Sequence, residues 1–468
     1  MSFFGDRTTF VSIFGLEIKW YAILILFGAF CAYKVAQRNL EIKAYKKNVA
    51  DDLVFGCLLS GVLGARLYYV LFYHFNDPQF FANLINIIDF RQGGLAIHGG
   101  LIAGGLYGIY YAKKHNLSCF KLSDNIIYTL LLAQAIGRWG NFVNQEAFGP
   151  VINGEALAFL PKFIQDGMFI QGAYRMPMFL IESCLNLVGF LVIHFILRKY
   201  FKKIGQVTGL YFIWYGIVRY FVETYRTDAL WFFGLNLKVA QLISICLIII
   251  GFILLLAKIN NKKVILYDFD GTLLDTRIMI ENSFKDLVAL HPPKVDISTL
   301  DFSKFVGPSL RQSFLELYGP NYSEDLYHDY QKIKEKYIDT VTLMPNINAT
   351  LKNLKQQGYL LGIVSNKGSD VIQNQIDLYG LYNDFDIIVG YEKVKKAKPD
   401  ADGIYYATKQ LKVTLDNCIL VGDTVVDYQA AKNAGVYFVG YGLLKEQLQP
   451  ISNMYISNHE QLINEVLL

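Results

Sequence analysis

"CLIIIGFILLLAKINNKKVILYDFDGTLLDT", Cys246 to Thr276, holds two kinds of protein within one short stretch. Its first part, "CLIIIGFILLLA", carries no charge and closes an apolar run over 239–257 that is long enough to cross a bilayer. "KINNKK" then supplies three lysines, which hold a segment end on the cytoplasmic side. "VILYDFDG" follows at once. An apolar, β-branched run ending in Asp reads as a buried parallel strand whose last residue reaches a site at the carboxyl edge of a sheet. The stretch therefore divides the chain into a membrane domain over 1–258, a short basic linker over 259–263 and an α/β domain over 264–468.

Composition changes at the same place. The 468 residues are 53% hydrophobic and 15% aromatic, more than a soluble chain carries. The excess belongs to the first half, a series of apolar runs rich in Gly, Phe and Tyr; beyond Lys262, Lys, Asp and Asn are spread through ordinary periodic segments. A net charge of +4 is modest and implies no nucleic-acid partner. The six cysteines (31, 57, 119, 184, 246, 418) lack paired or metal-ligand spacing and read as packing residues in reduced surroundings. The first ten residues lack a basic stretch followed by a short apolar core and a small-residue cleavage site, so the membrane segments are expected to serve as their own targeting signal.

Outward from the opening stretch, apolar runs occur around 20–36, 53–73, 94–112, 123–139, 177–197, 207–223 and 239–257, the fourth being the weakest. They predict an all-α polytopic membrane domain of seven transmembrane helices. Lys and Arg concentrate after the first, third, fifth and seventh runs, as in Lys43, Lys46, Lys47, Lys113, Lys114, Arg198 and Lys199. By the positive-inside rule the N-terminus lies outside and the second half is cytoplasmic. In that orientation Tyr21, Arg66, His98, Arg138, Asn141, Glu146, Glu182, Arg219 and Glu223 all fall near the outward ends of their segments. Ionised groups at that depth cost a few kcal/mol unless paired or watered, so such a layer marks a site. Arg219, Glu223 and Arg226 are spaced to share one helix face and pair there. Arginines suit a phosphate, whose oxygens the guanidinium fork binds in pairs, and a phospholipid headgroup is the phosphate at this depth.

"GGLAIHGGLIAGG" at 93–105 and "GRWGNFVNQEAFG" at 137–149 closely resemble the signatures of prolipoprotein diacylglyceryl transferases. The resemblance extends to "WYAIL" at 20–24, "GARLYYV" at 64–70 and "YGIVRYFVETYRTD" at 215–228, and so covers almost all of 10–257. It implies that phosphatidylglycerol donates a diacylglyceryl group to the lipobox cysteine of a prolipoprotein, with glycerol phosphate leaving and no cofactor required. It also implies that Arg138 and Arg219 hold the phosphate, with Arg66 a lesser candidate, and that His98 is the base or positioning group. Tyr21, Asn141, Glu146, Tyr215 and Glu223 would line or order the site. The glycines around His98 have a plainer use, since small residues let membrane helices approach closely. "YRMPMFLIES" at 174–183 departs from the family, with Met176 where His is usual and Ile181 where Tyr is usual.

In the second half, strand-like runs ending in polar groups recur at "LLGIVSN" (360–366) and "CILVGDTVVD" (418–427), separated by helical stretches, as in an open α/β domain. Their ends bring together Asp268, Asp270, Ser365, Asn366, Asp423 and Asp427, while "KAKPD" supplies Lys398. Carboxylates gathered at one edge need a cation between them, and Mg²⁺ favours oxygen ligands with a substrate phosphate. This ordered set resembles the four motifs of Rossmann-like haloacid-dehalogenase-like phosphatases, over about 264–440. The resemblance implies Asp268 as nucleophile and Asp270 as acid and base. Ser365, Asn366 and Lys398 would meet the substrate phosphate, Asp268, Asp270, Asp423 and Asp427 the Mg²⁺, and about 277–341 would form a small helical cap. The substrate would be a small phosphate ester or pyrophosphate, as in the phosphoglycolate-phosphatase and pyrophosphatase branch.

Rival readings give the membrane half a transport or lipid-binding role and the second half a phosphate-sensing one, though no internal repeat of the transporter kind is evident in the sequence. The second half could also consume the glycerol phosphate that the first releases, but the expected topology puts the two on opposite sides of the bilayer. Two independent catalysts joined by fusion is the plainer reading.

Overall fold

A computed structural model describes residues 8–463, apart from 14–15, 75–79, 81–86, 88–93, 227–237, 258, 260–261 and a few positions between 294 and 443. The chain divides into two compact units: Met1–Ile42 with Lys47–Asn260, and Asn261–Leu468 grouped with the four residues Lys43–Lys46.

The first unit is helical. Its main helices are α1 (Trp20–Ile42), α2 (Val49–Tyr73), α3 (Ile97–Lys114), α4 (Cys119–Ile126), α5 (Leu130–Asn144), α6 (Met178–Leu191), α7 (Gln206–Tyr225) and α8 (Val239–Leu256). Large apolar side chains such as Phe55, Leu63, Leu101 and Ile253 face outward and are exposed, the reverse of a water-soluble fold and suited to lipid. Among the described residues, four helical stretches are long and apolar enough to cross a membrane: Trp20–Ile42, Val49–Phe72, Met178–Tyr200 and Val239–Leu256. The other three expected spans are helical, but they do not reach that length or hydropathy. The fourth is broken by a 3₁₀ turn at Ile127–Thr129, where the Thr129 hydroxyl donates to the Ile126 carbonyl at 2.7 Å and competes with the helical ladder.

Two hairpins, Thr9–Ile13 with Leu16–Lys19 and Phe169–Ile170 with Ala173–Tyr174, had no counterpart in the periodicity. Small residues set the helix contacts. A Cβ at Gly99 would lie 2.2 Å from the Gly64 carbonyl oxygen, so α2 and α3 meet backbone to backbone.

The second unit is an α/β layer built on six parallel strands. In chain order it runs β1 (Val264–Tyr267), α9 (Arg277–Leu290), α10 (Leu310–Tyr318), α11 (Glu324–Glu335), α12 (Ile347–Gln356), β2 (Leu360–Val364) and α13 (Ser369–Leu378). It continues with β3 (Ile387–Val389), α14 (Asp402–Leu411), β4 (Cys418–Gly422), α15 (Val425–Ala434), β5 (Tyr437–Tyr441) and β6 (Met454–Ile456). The sheet order is β6-β5-β4-β1-β2-β3. Every residue of β1 is buried, as both faces of a parallel sheet demand. The strand order reverses between β1 and β4, the place where open α/β sheets bind ligands. Helices α9 to α11 form a core of their own around Phe284, Leu287, Phe305, Phe314 and Tyr330, separate from the core around the sheet.

Candidate active sites

In the membrane unit the polar layer resolves into one bonded network. Arg138 on α5 places Nη2 2.6 Å from Glu182 on α6 and donates from Nη1 to Asn141 Oδ1 at 3.1 Å. Asn141 passes the chain on, donating to Glu146 Oε1 at 2.8 Å. Arg219 on α7 lies 3.9 Å from the other Glu182 oxygen and 2.8 Å from Glu223. Glu182 and Glu223 are buried, whereas the arginine side chains keep 21% and 18% of their surface open. Arg219 Nη1 is buried without a hydrogen-bond partner among the described residues. Tyr215, one turn before Arg219, lies within electrostatic reach of Arg219, Glu182 and Arg138. Tyr21 packs its ring against the bare Cα of Gly140, where a Cβ would come within 2.5 Å.

Three expected members behave otherwise. Arg66 donates to the carbonyls of Ile87 (2.9 Å) and Gly94 (3.0 Å) in the connection before α3, and its guanidinium lies 5.4 Å from the centre of the Tyr69 ring. His98 is exposed on the first turn of α3, its ring 6.2 Å from that of Tyr68. Arg226 does not share the helix face of Arg219, because α7 ends at Tyr225 and Arg226 is its extended cap. Met176 and Ile181 pack with Met178, Val218 and Val222, making an apolar joint between α6 and α7. Glu182 is the residue whose importance the sequence understated, since only folding shows that two arginines share it.

In the second unit, β1, β2 and β4 end side by side. Asp268 follows β1 and donates its N–H to the Val421 carbonyl at 2.9 Å. Lys398 Nζ lies 2.6 Å from both Asp268 Oδ1 and Asp427 Oδ1. Asp427 also forms the capping box of α15, accepting from the Thr424 hydroxyl at 2.6 Å and its N–H at 3.1 Å. Asp423 accepts from the Thr272 hydroxyl at 2.8 Å. Gly271 has φ +79°, and a Cβ there would lie 2.1 Å from Asp423, so the turn needs glycine twice over.

The carboxylates crowd one another. Burial and the neighbouring Asp427 push Asp268 up to about 6, and burial with Asp268 raises Asp423 well above the usual carboxylate range. Burial draws the Lys398 ammonium down, but Asp268 and Asp427 outweigh it and leave it above its ordinary value. Oxygens of Asp268, Asp423 and Asp427 lie within 4.8 Å of one another, a spacing that fits a divalent cation. Asp270, expected among those ligands, is not in this group: its Oδ1 takes the Lys367 ammonium at 2.6 Å. Asn366 spends its amide on the Lys398 backbone, donating to the carbonyl at 3.1 Å and accepting from the N–H at 2.9 Å. Ser365 begins the turn after β2, where its oxygen accepts from the Lys367 N–H at 3.4 Å. Lys367 and Thr272 were missed, although both sit within recognised motifs; the adjacency of Lys367 to "SN" was the available signal.

An arginine–glutamate centre among membrane helices and a carboxylate–lysine centre on a parallel sheet define a membrane enzyme with two catalytic units. Residues 8–257 match the family model for prolipoprotein diacylglyceryl transferase, and residues 265–441 match that for haloacid dehalogenase-like hydrolase. The chain belongs to the prolipoprotein diacylglyceryl transferase family and carries a hydrolase domain of the second kind. It is 43% identical to a phosphatidylglycerol–prolipoprotein diacylglyceryl transferase of Clostridium novyi over 252 residues, 54% of this chain and 96% of that protein. A transferase of the same name from Staphylococcus haemolyticus is 40% identical over 57% of this chain and 93% of its own length. A solved haloacid dehalogenase-like hydrolase from Bacteroides fragilis is 30% identical, with TM-score 0.40, over 43% of this chain and all of that one.

Proposed function

We propose that the membrane half transfers a diacylglyceryl group from phosphatidylglycerol to a prolipoprotein cysteine. The thiol loses its proton, its sulfur attacks the glycerol carbon bonded to phosphate oxygen, the C–O bond breaks as C–S forms, and glycerol phosphate departs with the electron pair. The observation that carries this reading is the pair Arg138 and Arg219, held by one buried Glu182 while Arg219 Nη1, 3.9 Å from that carboxylate, makes no hydrogen bond among the described residues. Two guanidiniums fixed in advance suit the charge that grows on a departing phosphate. Tyr21, Asn141, Glu146, Tyr215 and Glu223 order that layer, and His98 is assigned to the thiol proton as a neutral imidazole suits. The N-terminus is assigned to the outside and the hydrolase to the cytoplasm. Expression in cells depleted of their own transferase tests the reading: lipidated lipoproteins should return, and their absence despite a well-expressed, membrane-inserted chain would refute it.

The second half is assigned Mg²⁺-dependent phosphatase activity. Asp268 attacks phosphorus and the bond to the leaving oxygen breaks, giving an aspartyl phosphate. Asp270 protonates the leaving oxygen and then takes a proton from the water that hydrolyses the intermediate. Lys398 and Ser365 hold phosphate oxygens, Asn366 fixes the Lys398 loop, and Asp268 and Asp423 would hold the metal, while Asp427 is engaged by Lys398 and Thr424. Bound there, Mg²⁺ would offset the carboxylate charge and polarise the phosphate. The full chain should release phosphate from a small ester or pyrophosphate only with Mg²⁺, and Asp268→Asn should lower this by at least about 10³-fold; undiminished release would remove Asp268 from the role.

A further inference from the structure

A turn beyond β6 reaches back to the carboxylates of the hydrolase site. The Gln461 side chain accepts the N–H groups of Ser457 and Asn458 at 2.8 and 3.2 Å and closes that turn, while Leu462 is fully buried in the core around the sheet. The turn carries His459 into the interior, where its ring lies over that of Tyr441 with centroids 4.0 Å apart and its Nε2 meets the Thr272 carbonyl at 2.9 Å. A carbonyl only accepts, so Nε2 carries the hydrogen; Nδ1 has no hydrogen-bond partner among the described residues. An apolar side chain would fill this space without stranding a buried nitrogen, so what histidine adds here is its one N–H.

That N–H falls on a residue already in contact with the site. Thr272 is fully buried, four residues after Asp268, in a turn closed by the Leu273 N–H on the Phe269 carbonyl at 2.9 Å and the Gly271 N–H on the Leu274 carbonyl at 2.8 Å. Its hydroxyl donates to Asp423 Oδ1 at 2.8 Å. Thr272 is thus gripped at both ends, by His459 through the carbonyl and by Asp423 through the hydroxyl. A carboxylate turns about its last bond unless something holds one oxygen, and partners of this kind set how tightly a metal is bound. Without His459 the buried carbonyl must find another donor, and the hydroxyl moves with it. We propose that His459, 187 positions from Thr272 along the chain, is a positioning residue for the metal site, acting through Thr272 on Asp423. The inference rests on reading Asp423 as a metal ligand.

The purified full chain in detergent is titrated with Mn²⁺ alone and followed by electron paramagnetic resonance; the quantity read is the Mn²⁺ that wild type binds and Asp423→Asn does not. Phosphate release from 2-phosphoglycolate is measured in parallel. His459→Leu should weaken this binding by about 10- to 100-fold, while phosphate release at saturating metal stays within about twofold. His459→Gln, whose amide offers an N–H over a similar reach, should restore most of the affinity. Thr272→Val should weaken binding as His459→Leu does, and the double variant should bind no more weakly than the weaker single one, because both cut one relay. Unchanged binding in folded His459→Leu, or losses that multiply in the double variant, would overturn the proposal. So would a loss in His459→Gln as large as in His459→Leu, which would mark the bulk of the ring as what matters. Should His459→Leu fail to fold, His459→Asn, polar but too short to reach the carbonyl, takes its place with the same loss expected. Wild type that binds Mn²⁺ but releases no phosphate defeats the phosphatase reading alone. No Asp423-dependent binding in wild type defeats the metal assignment and this inference with it.

Discussion

Glu182 is 2% exposed and faces two guanidiniums, so its charge is tolerable among apolar helices only while they stay. Arg219 consequently has two duties, to neutralise Glu182 and Glu223 and to present Nη1. Arg219→Gln should lower lipidation of a lipobox peptide by about 10²- to 10³-fold in membranes holding equal amounts of chain. Arg219→Lys should recover little, because a point ammonium cannot span two acceptors as a fork does; near-complete recovery would mean that only charge matters there. At this scale the sequence showed residue types well and partnerships poorly. Asp268, Asp270, Asp423 and Lys398 were legible because each sits at a fixed step from a strand end or motif. Glu182 bridging two helices, and Thr272 donating to Asp423, arise only when distant segments fold together. Arg226 misled because helical spacing says nothing about where a helix stops, and α7 stops one residue before it.

Between elements, contact distance decides which glycines matter. A Cβ at Gly99 would press into the Gly64 carbonyl, while at Gly105, six residues along the same helix, it would meet nothing within 4 Å. Gly99→Leu should destabilise the α2–α3 pair by about 1–3 kcal/mol, the usual cost of overpacking, seen as lower thermal stability in detergent. Gly105→Leu should be tolerated, since Leu favours a helix more than Gly does; equal losses at both sites would contradict the contact explanation. The hydrolase has its own joint at His459, fully buried, whose Nε2 donates to the Thr272 carbonyl at 2.9 Å. Burial lowers its value from the ordinary 6.5 to about 4. The unfolded chain therefore binds the extra proton first as pH falls. The stabilisation is complete above pH 6.5 and is lost on acidification towards 4, by about 3 kcal/mol. Pulse proteolysis in urea should show this slope in the hydrolase half of the full chain and lose it in His459→Gln; an unchanged slope would place the acid sensitivity elsewhere. The parallel sheet was legible from apolar runs ending in Asp, while the helical insert after the first motif was expected as a cap only through the family resemblance. The 3₁₀ break at 127–129 was not, because it depends on a Thr129 hydroxyl bond that hydropathy does not register.

As a whole, the molecule carries an arginine–glutamate centre in its first unit and a carboxylate–lysine centre in its second. The chain passes from one to the other through Cys246–Thr276: the apolar helix α8 ends at Leu256 and the strand leading to Asp268 begins at Val264. A shared metabolite is thus unnecessary, and the account predicts two activities that can be removed one at a time. The most direct measurement uses purified full-length chain in phosphatidylglycerol micelles with Mg²⁺, following both thioether formation on a fluorescent lipobox peptide and phosphate release from a small phosphate ester. Wild type should do both, Arg219→Gln should keep phosphate release alone, and Asp268→Asn should keep peptide lipidation alone. Loss of both activities in either folded variant, or a wild type that never lipidates the peptide, would contradict the account.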